Sequence, residues 1–145
     1  MKKLSILFFS FVLTCVVSHA QNAQRITEIV NSPVVTYSQA SYVVATYLGL
    51  VSDDASFADS FNELQNKFYF AKDVKEDDKI SLKNLCSLYA KATDFKGGAM
   101  YTITKKSPRY SYKEFYAKEF FKENTDPDMT VTGIEAINLF NNVIE

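Results

Sequence analysis

The residue types that most often do chemistry are scarce in this chain: its 145 residues include one histidine, His19, and two cysteines, Cys15 and Cys86. A nucleophile needs a base to activate it, and a zinc site needs histidine or clustered thiolates. His19 and Cys15 both lie in an N-terminal stretch that reads as removable, so the remaining chain would keep Cys86 alone. That excludes a Ser-His-Asp or Cys-His arrangement there and leaves no catalytic residue to nominate. Asp and Glu are plentiful, so a small hydrolase built on carboxylates is the third reading, but no pair stands out by spacing. The only paired glycines, Gly97-Gly98, are followed by no phosphate-loop lysine pattern. The expectation is a protein that is not an enzyme and needs no cofactor or metal.

One segment has the composition of a binding surface. In Lys105-Lys106-Ser107-Pro108-Arg109-Tyr110-Ser111-Tyr112-Lys113, four bases interleave with two tyrosines. Lys105, Lys106, Arg109 and Lys113 would meet an acidic glycan, lipid headgroups or a partner's acidic face, while the rings of Tyr110 and Tyr112 stack. A charged loop whose Tyr110 staples the next helix is the structural alternative. Two acidic stretches look superficially like cation sites. Asp73 to Lys79 lacks the spacing and central glycine of a calcium loop, and Asn124, Asp126 and Asp128 surround Pro127 as a helix-connecting turn would.

Met1-Lys2-Lys3, an apolar run from Leu4 to Val17, and Ser18-His19-Ala20 have the form of a secretory signal peptide, residues 1–20, cut before Gln21. The run is shorter than the ~20 apolar residues that span a bilayer, and no later run approaches that length. Val12-Leu13-Thr14-Cys15 loosely resembles a lipobox, in which Cys15 would be lipidated and anchor the chain. The expected location is therefore exported, periplasmic or envelope-associated, with no transmembrane span in the mature chain.

A formal net charge of −1, more acidic once Lys2 and Lys3 leave, argues against nucleic acid as a partner. Twelve Phe and nine Tyr without Trp imply a packed core. The elements that must position any site are helical. Residues 21–33 form a lead-in, with Ile26, Ile29 and Val30 at helical spacing. Ala40, Val43, Val44, Tyr47 and Leu48 share a face that ends at Gly49; Phe57, Phe61, Leu64 and Phe68 share a second; Leu82, Leu85, Cys86 and Tyr89 a third. In that third pattern Cys86 reads as a buried small hydrophobe. Further helices are expected from Tyr112 to Glu123 and from Gly133 to Ile144, with Met100 to Thr104 a short extended segment. The sum is an all-α single domain of four to six short capped helices.

Four helix entries repeat one device. Val35-Thr36 with Gln39, Ile80-Ser81 with Asn84, Tyr110-Ser111 with Glu114, and Val131-Thr132 with Glu135 each place a hydroxyl at a cap and a polar side chain three residues on. In such a capping box the hydroxyl accepts from the first turn, the third-position side chain reaches back to the cap's amide, and the preceding apolar residue staples the entry. Over about residues 34–93 the order of features resembles bacterial S-layer homology modules. A capped helix from Thr36 ends in Leu48-Gly49-Leu50, Phe57-Ala58-Asp59 opens a second helix, and Ile80-Ser81 begins another capped helix. At the place of that family's Thr-Arg-Ala-Glu signature stand Thr36-Tyr37-Ser38-Gln39 and Ser81-Leu82-Lys83-Asn84, without its polymer-binding arginine. The resemblance implies an envelope protein that binds a protein partner or a cell-surface polymer, with residues 94–145 as a further helical part. A lipid-anchored periplasmic accessory subunit of a larger envelope complex is the alternative.

Overall fold

The computed structural model describes residues 23–67, 69–122 and 125–145. The expected signal peptide, Cys15, and the positions Phe68, Glu123 and Asn124 lie outside the described residues. Seven short helices occur among the described residues: α1 (23–30), α2 (Tyr37–Tyr47), α3 (Phe57–Asn66), α4 (Leu82–Ala92), α5 (Ala99–Ile103), α6 (Pro108–Ala117) and α7 (Gly133–Ile144). The chain is all-α, and among the described residues there are just two isolated bridges, Thr36 with Lys79 and Ser81 with Thr130. No helix among the described residues is long and apolar enough to cross a membrane.

The structure differs from the sequence expectation at two neighbouring places. The segment expected to be extended is the helix α5, and α6 begins at Pro108 instead of Tyr112. Proline lacks the N–H that a first-turn position leaves unpaired anyway, and its fixed φ suits a helix start. Pro108 therefore opens α6 where it was expected to close a loop. With the start moved back, α6 also ends early, at Ala117, and does not run on to Glu123.

Helix ends follow one rule. At the end of α2, Gly49 (φ 64) donates to Thr46 and Leu50 donates to Ala45 at 2.9 Å, a Schellman turn that needs a left-handed residue. The same pair of bonds closes α5 and α6, with Lys105 (φ 53) and Glu119 (φ 59) where glycine would be easiest, and at the end of α4 Asp94 (φ 48) turns the chain so that Phe95 N–H donates to Ala90 at 3.1 Å. Each non-glycine residue there costs on the order of 1 kcal/mol, and the apolar contact beside the turn offsets it. Phe115 against Phe120, ring centroids 5.3 Å apart, is such a contact.

The helix entries of α2, α4 and α7 meet in a closed ring. The first amide of α2, Tyr37 N–H, donates to the Asp78 carbonyl ahead of α4 (2.9 Å). That of α4, Leu82, donates to Met129 ahead of α7 (2.9 Å), and that of α7, Gly133, donates to Ser32 ahead of α2 (2.9 Å). Ile80 N–H to Val35 (3.1 Å) and Val35 N–H to Val131 (2.8 Å) tie the ring inside. Amides that a helix start leaves unpaired are thus satisfied by its neighbours. The residues just before the caps, Val35, Ile80 and Val131, are all buried at its centre. α3 packs along α2, and α6 along α4. α7 meets α1 so closely that a Cβ on Gly133 would stand 1.6 Å from the Ile29 carbonyl oxygen.

Tyrosines finish the core by burying a ring and sending the hydroxyl to a carbonyl. Tyr42 donates to Asp53 (2.7 Å), Tyr89 to Ala136 (3.2 Å) and Tyr101 to Phe95 (3.0 Å). Burial pushes the Tyr101 hydroxyl up to about 12, and raises those of Tyr89 and Tyr42 as well, so all stay protonated donors at neutral pH. Cys86 is fully buried, and desolvation raises its thiol far above the range in which it reacts.

Candidate functional site

The basic–aromatic segment from Lys105 to Lys113 does not converge into one site. Lys105 and Lys106 form the left-handed turn between α5 and α6, and the Lys106 carbonyl accepts from both Ser87 (2.8 Å) and Ser111 (3.0 Å). The Lys106 amine reaches Asp94 at 2.8 Å. It is therefore a structural pin joining α4 to the start of α6. Asp94 also pairs with Lys96, and hydrogen bonds from the two amines, Lys106 first, lower its carboxyl to about 2. The Ser111 expected to cap a helix instead lies inside α6, buried and bonded to that Lys106 carbonyl. Glu114, its expected box partner, accepts from Gly98 N–H at 3.0 Å and holds α5 to α6.

Of the two tyrosines, Tyr110 lies under the Lys113 amine, 5.5 Å from ring centroid to nitrogen, which uses both groups locally. Tyr112 donates to the Thr125 carbonyl and stacks on Phe121, centroids 5.2 Å apart and planes 28° from parallel. Lys105, Arg109 and Lys113 are exposed, with no ion pair to any of them among the described residues.

Tyr112 leads instead to a groove that the sequence did not announce. A cavity of about 700 Å³ opens between the entry of α4, α7 and the turn that joins α6 to α7. Leu82, Met129, Val131 and Leu139 line it together with the rings of Phe120 and Phe121. Lys122, Asp126, Glu135 and Asn138 supply charge and amide groups. The Phe121 ring is braced from behind by Tyr112, which itself stacks on the exposed Tyr116 with centroids 6.2 Å apart. Glu135 is held as carboxylate by hydrogen bonds from the Thr132 hydroxyl and backbone N–H, which lower its pKa.

The Asp126 turn is built as a turn should be. Asp128 N–H donates to the Asp126 carboxylate at 2.8 Å, Met129 N–H to the Asp126 carbonyl at 3.2 Å, and Asp128 pairs with Lys83 of α4. Among the described residues no cluster of His, Cys, Asp or Glu has the makings of a metal site. A smaller cleft of about 360 Å³ lies between the entries of α2 and α4, where Asn84 donates to the Tyr37 hydroxyl (2.9 Å). The signal that could have found the large groove is Phe120-Phe121-Lys122, two aromatics followed by a base directly after a helix. Against known proteins the chain matches no family model, no curated protein and no solved structure.

Proposed function

We propose that this chain is an exported, non-catalytic protein of the cell envelope that binds a cell-surface polymer in the groove between α4, α7 and the α6–α7 turn. The observation that carries the reading is the ring of Phe121, stacked on Tyr112, in a groove that is also lined by Lys122, Asp126, Glu135 and Asn138. Sugar rings present flat C–H faces to an aromatic ring and hydroxyls to carboxylates and amides, and a concave surface with few polar groups fixes their orientation. The pairing of α2, which begins at the capped Thr36, with α3, followed by α4, supports the S-layer-homology-like plan over about residues 34–93. A protein segment is the second reading, favoured by the apolar residues of the groove, Leu82, Met129, Val131 and Leu139.

Co-sedimentation with purified cell-wall material tests the first reading. The protein is expected to pellet with the polymer, and Phe121→Ala or Asn138→Ala to weaken binding about tenfold, the size of one good contact. Protein left in the supernatant overturns polymer binding, and full binding by both variants overturns the groove. Crosslinking in whole cells then tests the second reading, which only self-crosslinks would contradict.

A further inference from the structure

The tip of the molecule at α5 leaves two apolar side chains in water. Ile103 is 71% exposed and Met100 51%, the two most exposed large hydrophobic residues among those described. Spaced three apart on one turn, they share a face, while Tyr101 between them is buried in the core. Neither lines the groove assigned above.

The surroundings of this pair are basic. Lys96, Lys105 and Lys106 border one cleft of about 350 Å³ beside Thr102 of α5, and the exposed Arg109 follows four residues after Lys105. The nearby acids are spent: Asp94 holds Lys96 and Lys106, and Glu114 accepts from Gly98 N–H. Lys105 and Lys106 also sit in consecutive left-handed conformations, φ 53 and 59, where glycine would be easier. Lys105 and Arg109 have no ion pair among the described residues, so two free bases stand near exposed apolar groups in a chain whose whole net charge is −1.

From this juxtaposition we propose that the α5 tip is a contact for an anionic lipid surface, with Met100 and Ile103 entering the headgroup boundary and Lys96, Lys105 and Arg109 meeting the phosphates. Apolar side chains set within a basic ring bind by burial and by attraction to anionic lipid together, and neither part alone suffices. This contact is separate from the polymer groove, and each stands if the other fails.

The test uses the absence of tryptophan from the chain. Met100→Trp in the full chain places a single indole at the tip, and its emission reads the surroundings of α5 whatever else touches the membrane. Vesicles of equal phosphatidylcholine and phosphatidylglycerol should move the emission to shorter wavelength, and pure phosphatidylcholine should not. Lys105→Glu in that background should weaken the response about tenfold, as reversing one charge at an anionic surface does. Should Met100→Trp fail to fold, Ile103→Trp carries the same test at a more exposed position. Emission unchanged by anionic vesicles, an equal shift with neutral ones, or a response indifferent to Lys105→Glu each overturns the proposal.

Discussion

The entries of α2 and α7 on one side, and those of α4 and α6 on the other, start from the same sequence device and end differently. At Thr36 and Thr132 the capping box closes. Gln39 N–H donates to the Thr36 hydroxyl at 3.3 Å while Thr36 N–H donates to the Gln39 side chain at 3.1 Å, and Glu135 does the same for Thr132. At Ser81 the helix starts where expected, yet the hydroxyl is buried without a partner, and Asn84 turns away to Tyr37. At Ser111 the start itself has moved upstream to Pro108. A box needs both halves: a third-position side chain free to fold back, and no stronger start signal nearby. Asn84 is one carbon shorter than Gln and has a better partner across the ring; Glu114 has an amide of α5 to hold.

The comparison is broken most severely at the ring itself. Gly133→Ala would drive a methyl group into the Ile29 carbonyl, backbone that has no free rotor to yield. We expect destabilisation beyond the usual ~1–3 kcal/mol of overpacking, read from urea unfolding. A loss under about 1 kcal/mol would mean that α1 and α7 do not approach so closely. Next in size come the caps. Thr36→Ala and Thr132→Ala should each cost about 1 kcal/mol, whereas Ser81→Ala should be neutral or slightly stabilising, because it removes a hydroxyl buried without a partner. Equal losses at all three would show that Ser81 caps α4 after all.

The smallest effect sharpens the difference between the two closed boxes. Hydrogen bonds from Thr132 hold the Glu135 pKa below its ordinary value in the folded protein, so its contribution is complete above the unfolded value near ~4.3 and is lost as pH falls through the folded one. Gln39 has no proton to gain. The cost of Thr132→Ala should therefore shrink in acid while that of Thr36→Ala holds, a divergence that thermal melts across pH would register.

Much of this was readable in the chain. The apolar stripes located α2, α3, α4 and α7, since a helical face needs only local spacing, and the Leu48-Gly49-Leu50 end is a Schellman turn in fact. The short α5 was read as extended because five residues carry too little periodicity, and its stability comes from Glu114, sixteen positions away from Gly98. The ring was invisible for a related reason. Its bonds run from amides to the carbonyls of Asp78, Met129 and Ser32, and a carbonyl has no residue type to read. The stretch from Asp73 to Lys79 is exposed but for the half-buried Val74, yet two of its carbonyls, Glu76 and Asp78, receive α2.

The candidate site fared in the same way. Lys105, Arg109 and Lys113 are exposed as a binding segment requires, but Lys106 and Tyr112 are engaged within the fold and Tyr110 lies under the Lys113 amine. Phe121, which the helical reading would have placed inside a longer α6, reaches the groove only because Glu119 turns the chain left-handed at the end of that helix. A non-glycine residue in that conformation is not something its own type announces.

At the centre of the account is the claim that three helix entries form one closed ring. Native-state hydrogen exchange at the amides of Tyr37, Leu82 and Gly133 tests it most directly. A closed ring predicts that all three exchange only through the same opening, with the same free energy, equal to that of global unfolding. If Gly133 or Leu82 exchanges through a smaller, local opening while Tyr37 stays protected, the entries are separate caps and the ring does not act as a unit.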